Sequence, residues 1–429
     1  MKIELTDEQE ALLKDVYDWY NYSSEQIYQF TGASGTGKSF MMHKIQEMLG
    51  LNDESVASMA YTGAAAIVMR LNGFNNACTI HSWLYKLVTK KELDTETGKM
   101  IYKKKFVYTP LDKNKYKLIF IDEASMVPSY MKKEIESNDI KIIACGDLNQ
   151  LPPVKDKPAY LYEGKIFRLN KIMRQAKNSA IVELANLILK GKEPRIGNYG
   201  QVLVTTQDQI TNDMLYQMET VICGTNKTRD YINQVVRNQV IGTNNPLPQY
   251  GEKVVCRSND WQFTVDGISL ANGLVGTVCN NPSIANYRDN RFLMDFRPDL
   301  FPSIDFYDIE CDYKYMIADY RTRQGLRSLE NKKNNNKIHK FEYAYAITTH
   351  ISQGSQFKKG MYIQEYLSRD IQNNLNYTGL TRFREFCIYV LPYKKIYCPV
   401  NLSVVSVNGV PVIWFIEIYY KYGEAIANQ

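Results

Sequence analysis

The sequence predicts an α/β protein in which short buried strands alternate with helices and form parallel, doubly wound sheets. The first observation is a strand–helix rhythm, with strand-like runs at 27–30, 56–61, 118–121 and 140–145 and helical patterns at about 38–49 and 63–71. The second is a similar rhythm that begins near residue 161. The third is that two segments of different character interrupt these rhythms, which indicates insertions.

The predicted parts are a first α/β domain (1–85 and 118–160), an inserted hairpin (86–117), a second α/β domain (161–245 and 340–395), a β-rich insert (246–339) and a C-terminal extension of unknown role (396–429). The second domain should contain helices at about 177–190 and 226–239 and strands at 220–223, 343–348 and 387–391. Turn signals predict hairpins around 94–98 and at Asn408-Gly409. We expect 331–340, which is low in complexity, to be a loop.

Size and composition describe a globular protein of several domains. The chain has 429 residues, of which 45% are hydrophobic and 23% charged, and at roughly 150 residues per domain this length suggests about three domains. No apolar run reaches the ~18 residues of a membrane span, and the N-terminus does not resemble a signal peptide. We therefore expect no membrane partner and a cytoplasmic location, which would be the host cytoplasm if the chain is viral.

The eight cysteines are scattered, without a C-x-x-C pair. Several lie in apolar strand-like runs, which is typical of reduced core residues in a cytosolic protein. The spacing therefore predicts neither a zinc site nor a disulfide framework.

Positive charge is concentrated in two segments. The net charge is +6, yet 86–117 holds ten lysines against four acids, and 320–340 holds seven basic residues against one acid. Such local excess suits a polyanionic partner. The alternative for each segment is a solvated loop with lysines on its face.

The first motif runs Gly32-Ala33-Ser34-Gly35-Thr36-Gly37-Lys38-Ser39 and follows an apolar strand. It fits G-x-x-x-x-G-K-[ST], in which glycines let the backbone wrap around phosphates and N–H groups at a helix N-terminus hold the anion. Lys38 would pair with the β- and γ-phosphates and Ser39 would bind Mg²⁺. The predicted nucleotide contacts here are Gly32, Gly35, Thr36, Gly37, Lys38 and Ser39.

A second motif follows farther along the chain as Leu118-Ile119-Phe120-Ile121-Asp122-Glu123. It is an apolar strand that ends in two carboxylates. Asp122 is placed to hold the metal, and Glu123 to orient or deprotonate an attacking water. Taken alone, the pair could equally be a solvated strand end. Together with the first motif it predicts an ATP hydrolase that uses Mg²⁺.

The series of motifs beyond this point resembles a superfamily 1 DNA helicase, most closely the RecD-like and Dda-like group of phages and bacteria. The resemblance extends from Gln9 to about Val390 and implies two tandem RecA-like motor domains. Leu5-Thr6-x-x-Gln9 resembles the glutamine motif that reads adenine. Gln9 is also the N3 residue of a helix capping box, so a purely structural role stays open.

Three segments resemble motifs that contact DNA. They are 61–66 with Thr62, 78–84 with Thr79, His81 and Trp83, and 345–357 with Thr348 and His350. The small residues at 63–66 could instead serve tight helix–sheet packing. Trp83 could be a core aromatic rather than a platform on which a base stacks.

Three further residues resemble the family's catalytic groups. Gln150, in Gly146-Asp147-Leu148-Asn149-Gln150-Leu151-Pro152-Pro153, matches the glutamine that reaches the γ-phosphate. Arg174 and Arg382 match its two arginine fingers, which stabilise charge developing on the γ-phosphate. Either arginine alone could be a surface ion-pair partner.

Gly354 matches a nucleotide contact in the motif at 345–357, but this motif departs from the family pattern at two positions. Ile351 stands where the family usually has lysine, and Gln356 stands where it usually has an acid. The first change removes a phosphate contact, and the second removes a charge near the nucleotide. The remaining motifs are intact, so we expect an active enzyme.

The resemblance implies a monomeric ATP-dependent motor that travels 5′→3′ on single-stranded DNA and unwinds duplex junctions in replication, recombination or repair. In this scheme 86–117 is a pin or backbone clamp, and 246–339 guides the strand. An ATP-switched DNA-binding module without unwinding, or a loading subunit that acts with replication or recombination proteins, remains an alternative.

Overall fold

The computed structural model describes residues 5–93, 100–153, 156–171, 179–266, 268–286, 290–330, 338–367, 369–392, 405–407 and 410–412. Within them the chain forms two parallel-sheet domains, which we call the first and second motor domains after the role that the resemblance implies. A third, antiparallel sheet and three two-stranded hairpins complete the fold.

The first motor domain contains a six-stranded parallel sheet with the order β3-β2-β6-β7-β1-β8. Its strands are β1 (Ile27–Gly32), β2 (Val56–Ala60), β3 (Cys78–Thr79), β6 (Leu118–Asp122), β7 (Lys141–Gly146) and β8 (Ile166–Leu169), and its helices are α1 (Asp7–Tyr22), α2 (Lys38–Met48), α3 (Gly63–Leu71), α4 (Ile80–Leu84) and α5 (Lys132–Glu136). The central strands are almost wholly buried because helices cover both faces. The parallel order directs the carboxyl ends of β1, β6 and β7 to one edge.

The inserted hairpin consists of β4 (Tyr85–Leu93) and β5 (Met100–Tyr108), paired antiparallel from Tyr85–Tyr108 to Leu93–Met100. The turn that we predicted at 94–98 lies outside the described residues. The base is anchored by tyrosines, because the Tyr108 hydroxyl donates to the carbonyl oxygen of Glu134 at 2.9 Å and the Tyr85 hydroxyl bonds the Glu134 carboxylate.

The second motor domain contains a sheet with the order β20-β11-β21-β22-β10-β9, parallel except at the β9 edge. Its strands are β9 (Gly197–Asn198), β10 (Val202–Thr206), β11 (Thr220–Cys223), β20 (Ala346–Thr348), β21 (Phe357–Ile363) and β22 (Phe383–Leu391), and its helices are α6 (Ala180–Leu189), α7 (Asn212–Tyr216), α8 (Asn226–Val235), α11 (Thr349–Ser352) and α12 (Arg369–Leu380). A π-helical turn, Val236–Ile241, extends α8. Two tandem parallel-sheet domains with inserted β-rich parts are therefore present, as predicted.

The β-rich insert has its own antiparallel sheet, ordered β16-β17-β15-β12-β19 with β18 beside β17. Its elements are β12 (Lys253–Cys256), β13 (Asp260–Val265), β14 (Ile268–Leu270), β15 (Val275–Val278), β16 (Ser283–Asn286), β17 (Arg291–Pro298), β18 (Phe306–Asp312), α9 (Tyr313–Ile317), α10 (Tyr320–Glu330) and β19 (Phe341–Tyr343). The strands β13 and β14 form a separate hairpin. It packs on the first motor domain, since Ile67 of α3 lies in one core cluster with Ile268 and Leu270.

Three features differ from the predicted ones. The strand β8, which we assigned to the second domain, pairs with β1 and completes the first sheet. The single strand predicted at 343–348 is two strands in different sheets, because β19 pairs with β12 and β20 pairs with β11. The insert also contains the helices α9 and α10, which the sequence analysis did not predict. The loop predicted at 331–340 lies mostly outside the described residues.

In the C-terminal extension, β23 (Val405–Val407) and β24 (Val410–Val412) pair antiparallel, while the predicted Asn408-Gly409 turn lies outside the described residues. The seven cysteines of the described part are free thiols. Among the helices described, none is both long and apolar enough to cross a membrane.

A buried carboxylate joins the insert to the second motor domain. Glu342 of β19 is 3% exposed and lies 2.9 Å from Arg229 of α8, 3.3 Å from Arg257 and 3.8 Å from Arg323 of α10. Tyr315 donates a further hydrogen bond to Glu342 at 2.8 Å. Burial alone would raise the pKa of Glu342, but the three arginines and Tyr315 hold it below its usual value.

We predict that Glu342→Gln lowers the free energy of unfolding by about 3 kcal/mol, because it removes the negative charge that three arginines share. Among the described residues, only Asp230 then remains to pair with Arg229 and Arg323. Urea unfolding followed by fluorescence measures the loss. In the parent chain the contribution of Glu342 should be present above the unfolded pKa near 4.5 and disappear as the pH falls through the lower folded value.

The matched control is Glu310→Gln, because Glu310 pairs with Arg291 at 3.0 Å but is half exposed. It should cost less than about 1 kcal/mol. Equal losses in the two variants would show that Glu342 is not the anchor of the insert.

Candidate active site

A cleft lies between the two motor domains, at the carboxyl ends of β1, β6 and β7. Residues of both domains line it: Ser34, Gly35, Gly37, Lys38, Ser39, Phe40, Ala65, Val68, Asn72, Asp122, Glu123 and Gln150 from the first, and Gly354, Gln356, Thr381, Arg382 and Arg384 from the second. The fold thus brings most of the predicted catalytic residues together.

The phosphate-loop residues connect β1 to α2. Gly35 and Gly37 have φ angles of 84° and 87°, which favour glycine because a Cβ is strained there. The Lys38 ammonium donates to the carbonyl oxygens of Gly32 at 2.8 Å and Ala33 at 3.3 Å, which keeps its charge over the loop. Thr36 is buried, and its hydroxyl also bonds the Ala33 carbonyl, so Thr36 supports the turn and does not line the cleft.

The two carboxylates at the end of β6 face the same cleft. Glu123 adopts a left-handed backbone conformation with φ of 50°, and its N–H donates to the Asp122 carboxylate at 2.8 Å. Burial, and then repulsion from Glu123, raise the pKa of Asp122 to about 6. A buried carboxylate of this kind favours a compensating cation, which fits the predicted metal-binding role of Asp122 with Ser39.

Two buried oxygen atoms in the cleft have no hydrogen-bond partner within the described part of the chain. They are Oε2 of Glu123 and Oε1 of Gln150. Leaving such atoms unpaired costs about 1–3 kcal/mol each, so their presence points to a bound polar ligand. These orphan oxygens fit a hydrated nucleotide.

From the second motor domain, Arg382 is 5% exposed, and its Nε donates to the Thr378 carbonyl at 3.1 Å. No carboxylate of the described residues forms an ion pair with it, so a nearly buried cation lines the cleft and suits a phosphate. Arg384, which the motif analysis missed, lines the same cleft and is exposed. Only its place at the start of β22, two residues after Arg382, could have indicated it.

The other predicted arginine finger, Arg174, lies outside the described residues. The chain that leads to it is fixed at Asn170 and Lys171, whose N–H groups both donate to the Glu8 carboxylate at 2.9 Å.

The two departures from the family motif occupy different positions. Ile351 packs against the core of the second motor domain, so its apolar side chain replaces a charged one. Gln356 is exposed and lines the cleft. The nucleotide would therefore meet an amide where the family usually has an acid.

Gln9 does not line the cleft. It is 1% exposed, and its Oε1 accepts the Thr6 N–H at 3.0 Å while the Thr6 hydroxyl accepts the Gln9 N–H at 3.3 Å. This is the capping box at the start of α1. The geometry thus favours the structural alternative for Gln9, and its contact with adenine stays a prediction.

Three of the predicted DNA-binding residues are helix N-caps. The hydroxyls of Thr62, Thr79 and Thr348 cap α3, α4 and α11. Each lies at the carboxyl end of a parallel strand, the edge at which such sheets bind ligands.

The remaining three predicted DNA-binding residues differ in exposure. His81 is exposed and stacks on Tyr85, with ring centroids 5.6 Å apart. His350 is half-buried, and burial lowers its pKa. Trp83 packs with the core and donates its indole N–H to the Ser58 carbonyl at 2.7 Å, which favours the core interpretation over the stacking platform.

The family model described as "AAA domain" matches residues 4–207, a little under half of the chain. The ATP-dependent DNA helicase PIF1 of Saccharomyces cerevisiae is 27% identical over 44% of this chain and 23% of its own length. An uncharacterized protein of Methanocaldococcus jannaschii is 24% identical over 88% of this chain and 37% of its own length. The chain thus spans well under half the length of these relatives.

Solved structures extend the similarity of fold over most of the chain. The Pif1 helicase of Candida albicans matches with a TM-score of 0.51 and 18% identity over 91% of this chain and 94% of that one. Bacteroides Pif1 bound to single-stranded DNA matches with a TM-score of 0.51 and 19% identity over 90% and 92%. The predicted fold of two RecA-like domains is therefore confirmed. The sequence similarity to PIF1 helicases agrees with the superfamily 1 resemblance, and the RecD-like or Dda-like assignment stays a prediction.

The two motor domains approach closely at Gly354, which has a φ of 80° and whose hypothetical Cβ would lie 2.8 Å from the Ala65 nitrogen of α3. We predict that Gly354→Ala weakens the affinity for ADP roughly tenfold, since strain of about 1–3 kcal/mol would oppose closure of the cleft. Titration with a fluorescent ADP analogue measures this.

The control is Gly325→Ala in α10, where an added Cβ meets nothing within 4 Å. Its nucleotide affinity should equal that of the parent. An unchanged affinity in Gly354→Ala would contradict the close approach as a requirement for binding.

Proposed function

We propose that the protein is an ATP-dependent DNA helicase that moves on single-stranded DNA. The main support is one cleft between the two motor domains, in which the phosphate loop, two carboxylates, Gln150 and Arg382 come together. ATP hydrolysis at a domain interface converts nucleotide binding into relative domain movement. The comparisons with PIF1 helicases support this activity.

The residues divide the chemistry among them. The N–H groups from Gly35 to Ser39 and the Lys38 ammonium would hold the phosphates, and Ser39 and Asp122 would hold Mg²⁺, which shields phosphate charge. The free Oε2 of Glu123 accepts a proton from water, and Gln150 orients that water. The Arg382 guanidinium stabilises the charge that spreads onto the γ-phosphate oxygens.

A groove beside α3 offers a path for the DNA strand. Gly63, Arg70, Thr79 and Ser82 line one side of it, and the β13–β14 hairpin residues Ile268, Ser269 and Ala271 line the other. Small side chains, hydroxyls and one arginine suit a sugar–phosphate backbone. In this proposal the insert guides the strand, and His81 and His350 contact it from the two motor domains.

The finer assignments belong to the same proposal. Travel is 5′→3′, the protein acts as a cytoplasmic monomer at duplex junctions, and its process is replication, recombination or repair, with proteins of those pathways as partners. The inserted segment 86–117 is the pin that separates the strands. These assignments follow from the resemblance to the RecD-like group and from the lysine excess of 86–117.

One observation favours a second candidate, an ATP-switched DNA-binding or loading subunit that unwinds weakly or not at all. Gln356 lines the cleft where the family has an acid, which could slow turnover. An unwinding assay on matched duplexes with a 5′ or a 3′ tail separates the two. Unwinding of the 5′-tailed duplex alone supports the first function with its polarity, whereas hydrolysis without unwinding of either supports the second.

We predict that Glu123→Gln retains nucleotide binding but lowers DNA-stimulated ATP hydrolysis by roughly 10²–10⁴-fold, because the amide cannot accept the proton. Lys38→Ala should abolish hydrolysis while the fold is kept, since no core contact is lost. Phosphate release and circular dichroism measure the two effects. Glu47→Gln, at an exposed ion pair of α2, is the control, and hydrolysis at the parental rate by Glu123→Gln would refute the role of Glu123.

A third variant replaces 94–100 of the inserted hairpin with a short Gly/Ser turn. We expect DNA-stimulated ATPase and translocation to persist while duplex unwinding falls strongly, because a motor without a wedge moves but does not separate strands. Both rates are measured on one preparation. Equal loss of both would assign the hairpin to the motor fold, and loss of neither would place the wedge elsewhere, such as in 246–339.

A further inference from the structure

A single tyrosine hydroxyl connects three functional segments across the domain boundary. Tyr377 of α12 is 1% exposed and packs in the core of the second motor domain. Its hydroxyl accepts a hydrogen bond from the Ser34 backbone N–H at 3.0 Å and donates one to Oδ2 of Asp147 at 2.7 Å. Ser34 belongs to the phosphate loop, and Asp147 begins the loop that presents Gln150.

The donor and acceptor roles of this hydroxyl are fixed. Asp147 is fully buried, and its carboxylate accepts hydrogen bonds only, from Tyr377 and from the Asn149 N–H at 2.9 Å. The Tyr377 proton must therefore point to Asp147, which leaves an oxygen lone pair for the Ser34 N–H. Burial, followed by the Asp147 charge, raises the pKa of Tyr377 far above its usual value, so the proton stays in place.

The same face of α12 holds the rest of this loop. Asn374, Tyr377 and Thr378 are spaced at i, i+3 and i+4, which places them together on a helix. Asn374 donates to the Asn149 carbonyl at 2.9 Å, and the Thr378 hydroxyl accepts the Leu151 N–H at 3.1 Å. Residues 147–151 belong to the first motor domain but are positioned largely by the second.

We propose that Tyr377 is a positioning residue that makes the conformation of the phosphate loop and the placement of Gln150 depend on each other. Its ring is rigidly packed, so the hydroxyl stays in place. A shift of the phosphate loop at Ser34 therefore breaks the hydrogen bond to this hydroxyl and weakens the bond that the hydroxyl donates to Asp147. The loop 147–151 then carries the change to Gln150 and, through α12, to the second motor domain. The kinetic part of this inference rests on the proposed ATPase function.

The test uses Tyr377→Phe, which removes the hydroxyl and keeps the packed ring. DNA-stimulated kcat should fall at least tenfold, because a hydrogen bond to a charged group is worth about 1.5–3 kcal/mol, while the KM for ATP changes less than about twofold. The matched control is Tyr389→Phe, since Tyr389 is also fully buried in the second motor domain and its hydroxyl donates to Gln364 at 2.8 Å within that domain. It should leave both constants within about twofold.

A double-mutant cycle with Asp147→Asn locates the effect. If the two residues act through one bond, the double variant should be no more than about twofold slower than the slower single variant. If the reductions in kcat of the two single variants multiply in the double variant, the inference is overturned. Equal losses of kcat in Tyr377→Phe and Tyr389→Phe would also overturn it, because they would indicate a merely structural hydroxyl.

Hydrogen–deuterium exchange of the peptide 31–39, without nucleotide, tests the link independently of activity. Tyr377→Phe should speed exchange of this loop severalfold, whereas Tyr389→Phe should not, because only Tyr377 bonds the Ser34 N–H. Unchanged exchange overturns the inference about Tyr377. A parent chain without DNA-stimulated hydrolysis overturns the proposed function instead, so the two failures are distinguishable.

Discussion

The contact between α12 and the loop 147–151 is the constraint on which the rest of the site depends. The parallel sheet of the first motor domain presents the phosphate loop, Asp122 and Glu123 at one edge. The positive charge on the opposite side of a bound phosphate comes from Arg382 of the second motor domain. The helix α12 holds Asn149 and Leu151, and Arg382, which follows the end of α12 and bonds its Thr378 carbonyl, reaches the cleft. Because Gly354 has no Cβ, its backbone can lie close to the Ala65 backbone of the first motor domain.

Buried polar groups also join the β-rich insert to the second motor domain. Glu342 lies among three arginines, and a carboxylate at 3% exposure is tolerated only because these cations and Tyr315 compensate its charge. The β13–β14 hairpin then rests on α3 through apolar contacts with Ile67. The insert is thus joined to the second motor domain by ion pairs and to the first by apolar packing. Relative movement of the two motor domains must therefore alter the groove between α3 and the β13–β14 hairpin.

Sequence reasoning succeeded where a local pattern has a local cause. Gly35 and Gly37 predicted a tight loop, and their backbone angles are those that favour glycine. The apolar run 118–121 predicted a buried strand, and it is buried because helices cover both faces of the sheet. Sequence reasoning failed where a partner distant in the chain decides. The strand β8 joins the first sheet because it pairs with β1. The segment 343–348 divides between two sheets because its first residue pairs with β12 and its last three pair with β11. Trp83 illustrates the same limit, since its indole bond to Ser58 links residues 25 positions apart.

The sequence by itself determined the chemistry that each motif can perform and the parallel-sheet class, because residue type and short-range spacing set both. The tertiary structure alone decided which groups share one cleft. Arg384 enters it without any motif, and Tyr377 reaches the phosphate loop from 343 residues away. These outcomes depend on how two sheets pack against each other, and packing is a property of surfaces that no local pattern contains.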